Sequence, residues 1–460
     1  MNTDWLNELN TILPEGTLLT DETSRAAYAG DKWHASALPD AVVLPGCTED
    51  VAELMRFAHA RGIPVTPRGA GVGYVGGCVP VYGGIVLSTE RMNAITEINP
   101  ADGVAVVQPG ALTADVQAAA AAQGWFYPPD PASRKESSIG GNIATNAGGP
   151  RCLKYGVTRA YVLGLEVVLA NGRILRCGGR THKNKQGFDL VGLFCGSEGM
   201  LGIITQATLR LIPAPPARTA LRASFPQFAL CAAAVQAVLQ SGHLPCALEI
   251  TDAYTLQAAR AYLGPSSLPA DAQGHLIIEL DGQKEAVATE RETIAALLSS
   301  IGATEVITAD TEEEVEAIWQ LRREFSYSLK ATGLTKLNED IVIPRSRLVE
   351  LVEFCASMQR ETGIPVACFG HSGDGNIHTN IMVQKDAEGH DMRAPADALV
   401  HRLFDWVIRH GGSITGEHGI GLAKAPWFAD AVGDTAVSVH RAMKAALDPK
   451  GILNPGKMGL

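Results

Sequence analysis

The stretch R-G-A-G-V-G-Y-V-G-G-C-V-P, residues 68–80, constrains the fold most. Gly71, Gly73 and Gly76 stand in the G-x-G-x-x-G spacing of a dinucleotide-binding turn. That spacing works when the third glycine opens a helix whose N-terminus faces a pyrophosphate. Here Gly76 is followed by Gly77, Cys78, Val79, Pro80, Val81, Tyr82, Gly83 and Gly84. Glycines with a proline do not start a helix, so a nicotinamide dinucleotide on a doubly wound sheet is disfavoured. The run keeps a second physical meaning. Consecutive small residues let backbone N–H groups converge on an anion, and Arg68 adds a charge. Taken alone, the run fits a glycine-rich surface loop equally well.

The flanking sequence organises the chain around this loop. A-V-V-L-P predicts a strand, Thr48 a helix cap, and E-D-V-A-E-L-M-R-F-A-H-A-R-G a helix ended by Gly62. I-P-V-T-P then predicts a strand that runs into the glycines. Two more small-residue loops follow, S-S-I-G-G-N-I-A-T-N-A-G-G at 137–149 and G-S-E-G-M-L-G-I-I at 196–204. Between them Asn171-Gly172 joins two apolar runs as a hairpin. The P-A-P-P-A run at 213–217 predicts a domain boundary. Beyond it strands and helices alternate, as in helices packed on one antiparallel sheet, and residues from about 395 to 458 read as mainly helical.

Bulk properties exclude several functions. The net charge of −11 argues against a nucleic-acid partner. No window approaches a membrane-spanning apolar run, and the N-terminus lacks the apolar core of a secretory signal. Nine cysteines are scattered without a C-x-x-C pair, so reduced thiols in a cytoplasmic protein are expected rather than an iron–sulfur or cysteine–zinc site.

A second cluster lies in H-S-G-D-G-N-I-H-T-N, residues 371–380. His371 and His378 flank a tight turn, with strand-like runs on both sides, so a hairpin can bring the two imidazoles onto one ion. Asp374 belongs to the turn. In G-E-H-G-I-G, Glu417 and His418 are adjacent. Two histidines and one carboxylate leave coordination positions open for a substrate.

These ordered motifs resemble the FAD-linked oxidoreductases of the vanillyl-alcohol-oxidase or PCMH type, in the branch of the D-lactate, D-2-hydroxyglutarate and glycolate dehydrogenases. The motifs are P-R-G-A-G-V-G-Y-V-G-G, P-P-D-P-A-S-R-K-E-S-S-I-G-G-N-I-A-T-N-A-G-G, G-S-E-G-M-L-G-I-I-T-Q-A-T-L-R-L-I-P, H-S-G-D-G-N-I-H and G-E-H-G-I-G. The resemblance spans residues 38 to 458. It implies an α+β chain with a helical lead-in at 1–37, a two-subdomain PCMH-type FAD-binding domain at 38–213, and a ferredoxin-like cap domain with a helical C-terminal segment at 214–458. FAD contacts carry over to Arg68, Gly69, Ala70, Gly71, Val72 and Gly73, to Ser138, Gly141, Ala144 and Asn146, to Gly202 and Ile203, and to Asn454. Some relatives bond FAD through a histidine in the first glycine loop. This chain has none between Pro67 and Pro80, with Tyr74 the nearby candidate, so non-covalent FAD is expected.

The same resemblance makes His371, His378 and Glu417 ligands of a divalent metal, with zinc leading and manganese or iron open, and His418 the catalytic base. Arg322, in W-x-x-R, is the residue implied to bind the substrate carboxylate, Lys336 is a second candidate for it, and Asn380 matches a substrate-binding position. The implied reaction takes a D-2-hydroxy acid to the 2-oxo acid. The implied electron acceptor is an electron-transfer flavoprotein, a cytochrome or a quinone. A cytoplasmic location is expected, with peripheral membrane attachment and a homodimer left open. The alternatives are an FAD-binding subunit of a glycolate-oxidase-type complex, with little activity alone, and an NAD-dependent dehydrogenase.

Overall fold

The computed structural model describes residues 5–386 and 390–460, so the first four residues of the lead-in lie outside the described chain. The chain forms two compact units. One comprises residues 1–149, 156–214 and 417–460; the other comprises 150–155 and 215–416.

The first unit holds two sheets. The smaller runs Leu18–Leu19, Ala41–Val43, Ile85–Ser88, Val65–Arg68 from edge to edge, and its last three strands are parallel neighbours. The helix Thr48–Arg61 buries Val51, Leu54, Met55 and Ala58, the face expected from their spacing, and Gly62 closes it at φ 68°. Thr48 is not the cap. Cys47 holds that position without a side-chain bond, and Thr48 Oγ1 instead donates to Glu166 Oε1 at 2.7 Å. The chain from Arg68 to Ile85 forms no helix, so the parallel pair on either side is joined by the glycine loop itself.

The larger sheet is antiparallel, in the order Ile95–Asn99, Val104–Val107, Ile203–Arg210, Val162–Val168, Ile174–Gly178. Its last two strands are the expected hairpin, with Gly172 at φ 77°. The segment 137–149, expected as a loop, contains the short helix Ile139–Thr145. Ser138 caps it by accepting from the Gly141 amide, and Ile139, Asn142 and Ile143 share its buried face.

Residues 417–460, expected in the cap domain, return to the first unit. Val65 N donates to Ile452 O, and Asn454 N donates to Val65 O, both at 2.8 Å. Ile452 and Leu453 are buried in the same core as Val43, Leu54 and Val65, and each such side chain contributes about 1.5–3 kcal/mol. That apolar pair decides where the tail packs.

The second unit is built on one seven-stranded sheet, ordered Glu305–Ala309, Ala217–Phe225, Gly274–Gly282, Ala247–Asp252, Val366–His371, Asn376–Val383, Thr335–Val342. Every neighbouring pair is antiparallel. Its first four strands, with the helices Phe228–Gln240 and Lys284–Ile301, follow the β-α-β-β-α-β ferredoxin-like arrangement, and three more strands extend it. The helix Glu312–Ala331 starts at a capping box between Thr311 and Glu314.

Candidate active site

In the first unit the three small-residue loops converge. Gly69 abuts Ser138 and Gly141 so closely that an added Cβ would lie 2.5 Å from Ser138 Oγ. The Glu198 amide donates to Ala144 O at 2.8 Å, and the Gly196 amide donates to Ile143 O at 2.9 Å. Asn454, itself at φ 40°, spends its amide group on Gly77 O and Glu198 O, at 2.9 and 2.7 Å. The tie between the first and third loops is therefore a side chain from the C-terminus. Its Oδ1 is buried with no hydrogen-bond partner. Gly202 and Ile203 lie at the start of a buried strand, where a Cβ on Gly202 would strike Val167 and Phe194. Asn146, at φ 52°, accepts from the Arg159 amide.

Arg68 points inward. Its Nη1 donates to the Gly30 carbonyl and lies 3.3 Å from Cys78 Sγ. An added Cβ on Gly71 would fall on this guanidinium. The side chain props the loop from inside, so the loop's anion-binding capacity resides in its backbone. Among the described residues, the amides of residues 69–73 have no hydrogen-bond acceptor, and Gly71 and Gly76 adopt positive φ. Such a run of unspent donors fits a phosphate. Sequence reasoning missed Glu198. It is buried, and its carboxylate accepts from the Ile420 and Gly421 amides at 2.7 and 2.8 Å, holding the G-E-H-G-I-G segment. Burial pushes its carboxyl up, against the pull of those two amides. His418 lies in that segment, its ring 5.1 Å from that of Tyr74, which is 44% exposed.

In the second unit, strand alternation brings the polar residues to one face of the sheet. Glu249 stands opposite His371, Phe369 opposite His378, and Asp340 opposite His378 on the far side. Asn338 and Asn380 face each other in the same parity. The His371 and His378 rings are 5.5 Å apart. The expected turn is present, with Asp374 Oδ1 accepting from the Asn376 amide. Asp340, fully buried, accepts from Asn376 Nδ2 at 2.7 Å, from Thr415 Oγ1 at 3.1 Å and from the Gly416 amide at 3.0 Å. It thus fixes the turn and also the end of the unit from which Glu417 follows. Two imidazoles held this close on one sheet face can share a divalent metal.

Glu249, also missed in the sequence, is the most connected acid here. Its Oε1 is 2.5 Å from His371 Nδ1, and its Oε2 accepts from Arg322 Nε at 2.6 Å. Burial alone would raise this carboxyl, but His371 and Arg322 beside it outweigh that and hold it down at about 2. Arg322 lies over the Phe369 ring, 4.7 Å from its centroid. Lys336 Nζ donates to Ser326 Oγ at 2.9 Å. Burial, with Lys330 and Arg322 nearby, pushes Lys336 down to about 8. Asn380 gives its amide group to Ala367 O and His378 O, while its buried Oδ1 has no hydrogen-bond partner. An acid at an alternate position inside an apolar strand, as in A-L-E-I-T-D, is the signal that could have revealed Glu249.

Residues 214–458 match the family described as FAD linked oxidases, C-terminal domain, and residues 39–178 match the FAD binding domain. The chain belongs to the FAD-linked oxidases. It is an oxidoreductase that uses FAD. The chain is 40% identical to glycolate oxidase subunit GlcD of Bacillus subtilis (strain 168), over 92% of this chain and 89% of that protein. It is 33% identical to a D-lactate dehydrogenase of Anaerostipes hadrus, over 99% and 97%, and 33% identical to a D-2-hydroxyglutarate dehydrogenase of Stutzerimonas stutzeri, over 98% and 98%. Solved structures place this FAD-linked oxidase in the PCMH-type fold. The 4-ethylphenol oxidase of Gulosibacter chungangensis superposes with a TM-score of 0.79 at 20% identity, covering 98% of this chain and 96% of that one. A p-cresol methylhydroxylase gives 0.76 at 18%, covering 100% and 98%. The nine cysteines form no disulfide with one another, and no helix among the described residues is long and apolar enough to cross a membrane.

Proposed function

We propose that the chain oxidises a D-2-hydroxy acid of the D-lactate, D-2-hydroxyglutarate or glycolate kind to the 2-oxo acid. The observation that carries this reading is the buried Glu249 carboxylate, which meets both His371 and Arg322 on one face of the sheet. His371, His378 and Glu417 would hold a divalent metal, zinc before manganese or iron. When bound, such a metal would supply acidification of the substrate hydroxyl, and a non-covalent FAD would supply the hydride acceptor. The loop amides at 69–73, with Ser138, Gly141, Ala144, Asn146, Gly202, Ile203 and Asn454, hold the FAD. Arg322 and Lys336 bind the substrate carboxylate, since a planar guanidinium and a second cation suit that group. Asn380 offers its unspent Oδ1 to the substrate. The imidazole of His418 takes the hydroxyl proton, and Tyr74 limits its rotation by ring contact. The electron acceptor would be a flavoprotein, a cytochrome or a quinone.

The purified chain, screened against D- and L-2-hydroxy acids with a dye acceptor, is expected to turn over D-isomers or glycolate. Activity should be lost to a chelator and restored by zinc or manganese. Turnover unaffected by chelation would overturn the metal's role. The relatives that are glycolate oxidase subunits support a second reading, in which the chain binds FAD but works fully only in a complex. Flavin that stays yellow when the D-acids are added without oxygen would favour it.

A further inference from the structure

We propose that Glu249 is a positioning residue that couples the metal end of the substrate site to its carboxylate end. The inference rests on the reading above, in which His371 ligates and Arg322 binds the substrate. Both of its neighbours are donors. His371 Nδ1 meets Oε1 and Arg322 Nε meets Oε2, so one buried, 1%-exposed carboxylate spans the two. The bond at Nδ1 assigns the proton of His371 to that nitrogen, so Nε2 is the nitrogen that a metal would take. The bond at Nε pins the arginine plane against Phe369 and leaves its two terminal nitrogens for a carboxylate. The strand register explains the arrangement. Glu249 is the direct cross-strand partner of His371, and the helix Glu312–Ala331 brings Arg322 onto the same face. A neutral amide cannot replace this carboxylate, because its NH2 group would face one of the two donors.

The test is zinc affinity, by competition with a chromophoric chelator, together with KM and kcat for the best D-2-hydroxy acid, in the FAD-loaded full chain. Glu249→Gln is expected to weaken zinc by about 10–100-fold and to raise KM, with the flavin spectrum unchanged. Glu249→Asp, which keeps the charge, is expected to recover part of the zinc affinity. Zinc affinity and KM both within twofold of wild type in folded Glu249→Gln would overturn the coupling. If that variant does not fold, Arg322→Met decides. Relieved of its second donor, the carboxylate should hold His371 more strongly and tighten zinc several-fold, whereas an unchanged zinc constant would overturn the proposal. Wild-type protein that binds neither zinc nor any 2-hydroxy acid would instead defeat the functional reading itself.

Discussion

The two units build their sites from different materials. The first uses backbone: glycine loops, unspent amides at 69–73, and buried side chains such as Arg68, Glu198 and Asn454 that brace those loops. The second uses side chains on a rigid sheet face, with Glu249 and Asp340 as buried acceptors and the histidines held between them. A flat cofactor with a pyrophosphate can be held by many equivalent amides. A metal and a small acid need a few groups with fixed charge and direction. The first kind of site should therefore tolerate side-chain changes and fail on an added Cβ, and the second should do the reverse.

The largest effect tests the exception, a side chain within the backbone-built unit. His418→Ala is expected to lower kcat by about 10²–10⁴-fold with FAD content unchanged, as read from the flavin absorbance and dye-linked rates. Next, Gly71→Val puts a β-branched residue at φ 68° and a Cβ onto Arg68. FAD affinity, measured by flavin fluorescence, should fall by about ten- to a hundredfold, which corresponds to the 1–3 kcal/mol of backbone strain. Zinc affinity should stay within about twofold, and an equal loss in both would dissolve the contrast between the units. Asp340→Ala removes the buried acceptor of three hydrogen bonds. It should cost about 2–3 kcal/mol in urea unfolding and weaken zinc while sparing FAD.

The smallest effect is on pH. Lys336, pushed down to about 8 by burial, is charged below that value and loses its proton above it. KM for the substrate should therefore rise a few-fold between pH 7 and 9. Lys336→Met should have a high KM with that part of the pH dependence removed.

Much of this was legible in the sequence because it rests on local rules. Glycines followed by glycines and proline cannot open a helix, so the rejection of a Rossmann turn needed only residues 71–84. The hairpin at Gly172, the helix ended by Gly62 and the turn between His371 and His378 follow from φ preferences and alternation within a few residues. Local rules also misled in two places. Thr48 looked like a cap, but Glu166, 118 residues away, takes its hydroxyl. Residues 139–145 looked like a loop, but the buried faces of Ile139 and Ile143 make a helix of them.

Tertiary structure alone decided the pairings. Nothing near Glu249 in the chain announces His371 or Arg322, and nothing near Asn454 announces Gly77. Each pair is joined by strand register or by a C-terminal tail whose Ile452 and Leu453 find their core in the first unit. The physical reason is the range of the forces involved. Backbone preferences act over a few residues and can be read along the chain. A buried carboxylate is stable only where distant donors meet it, and that meeting is fixed by packing.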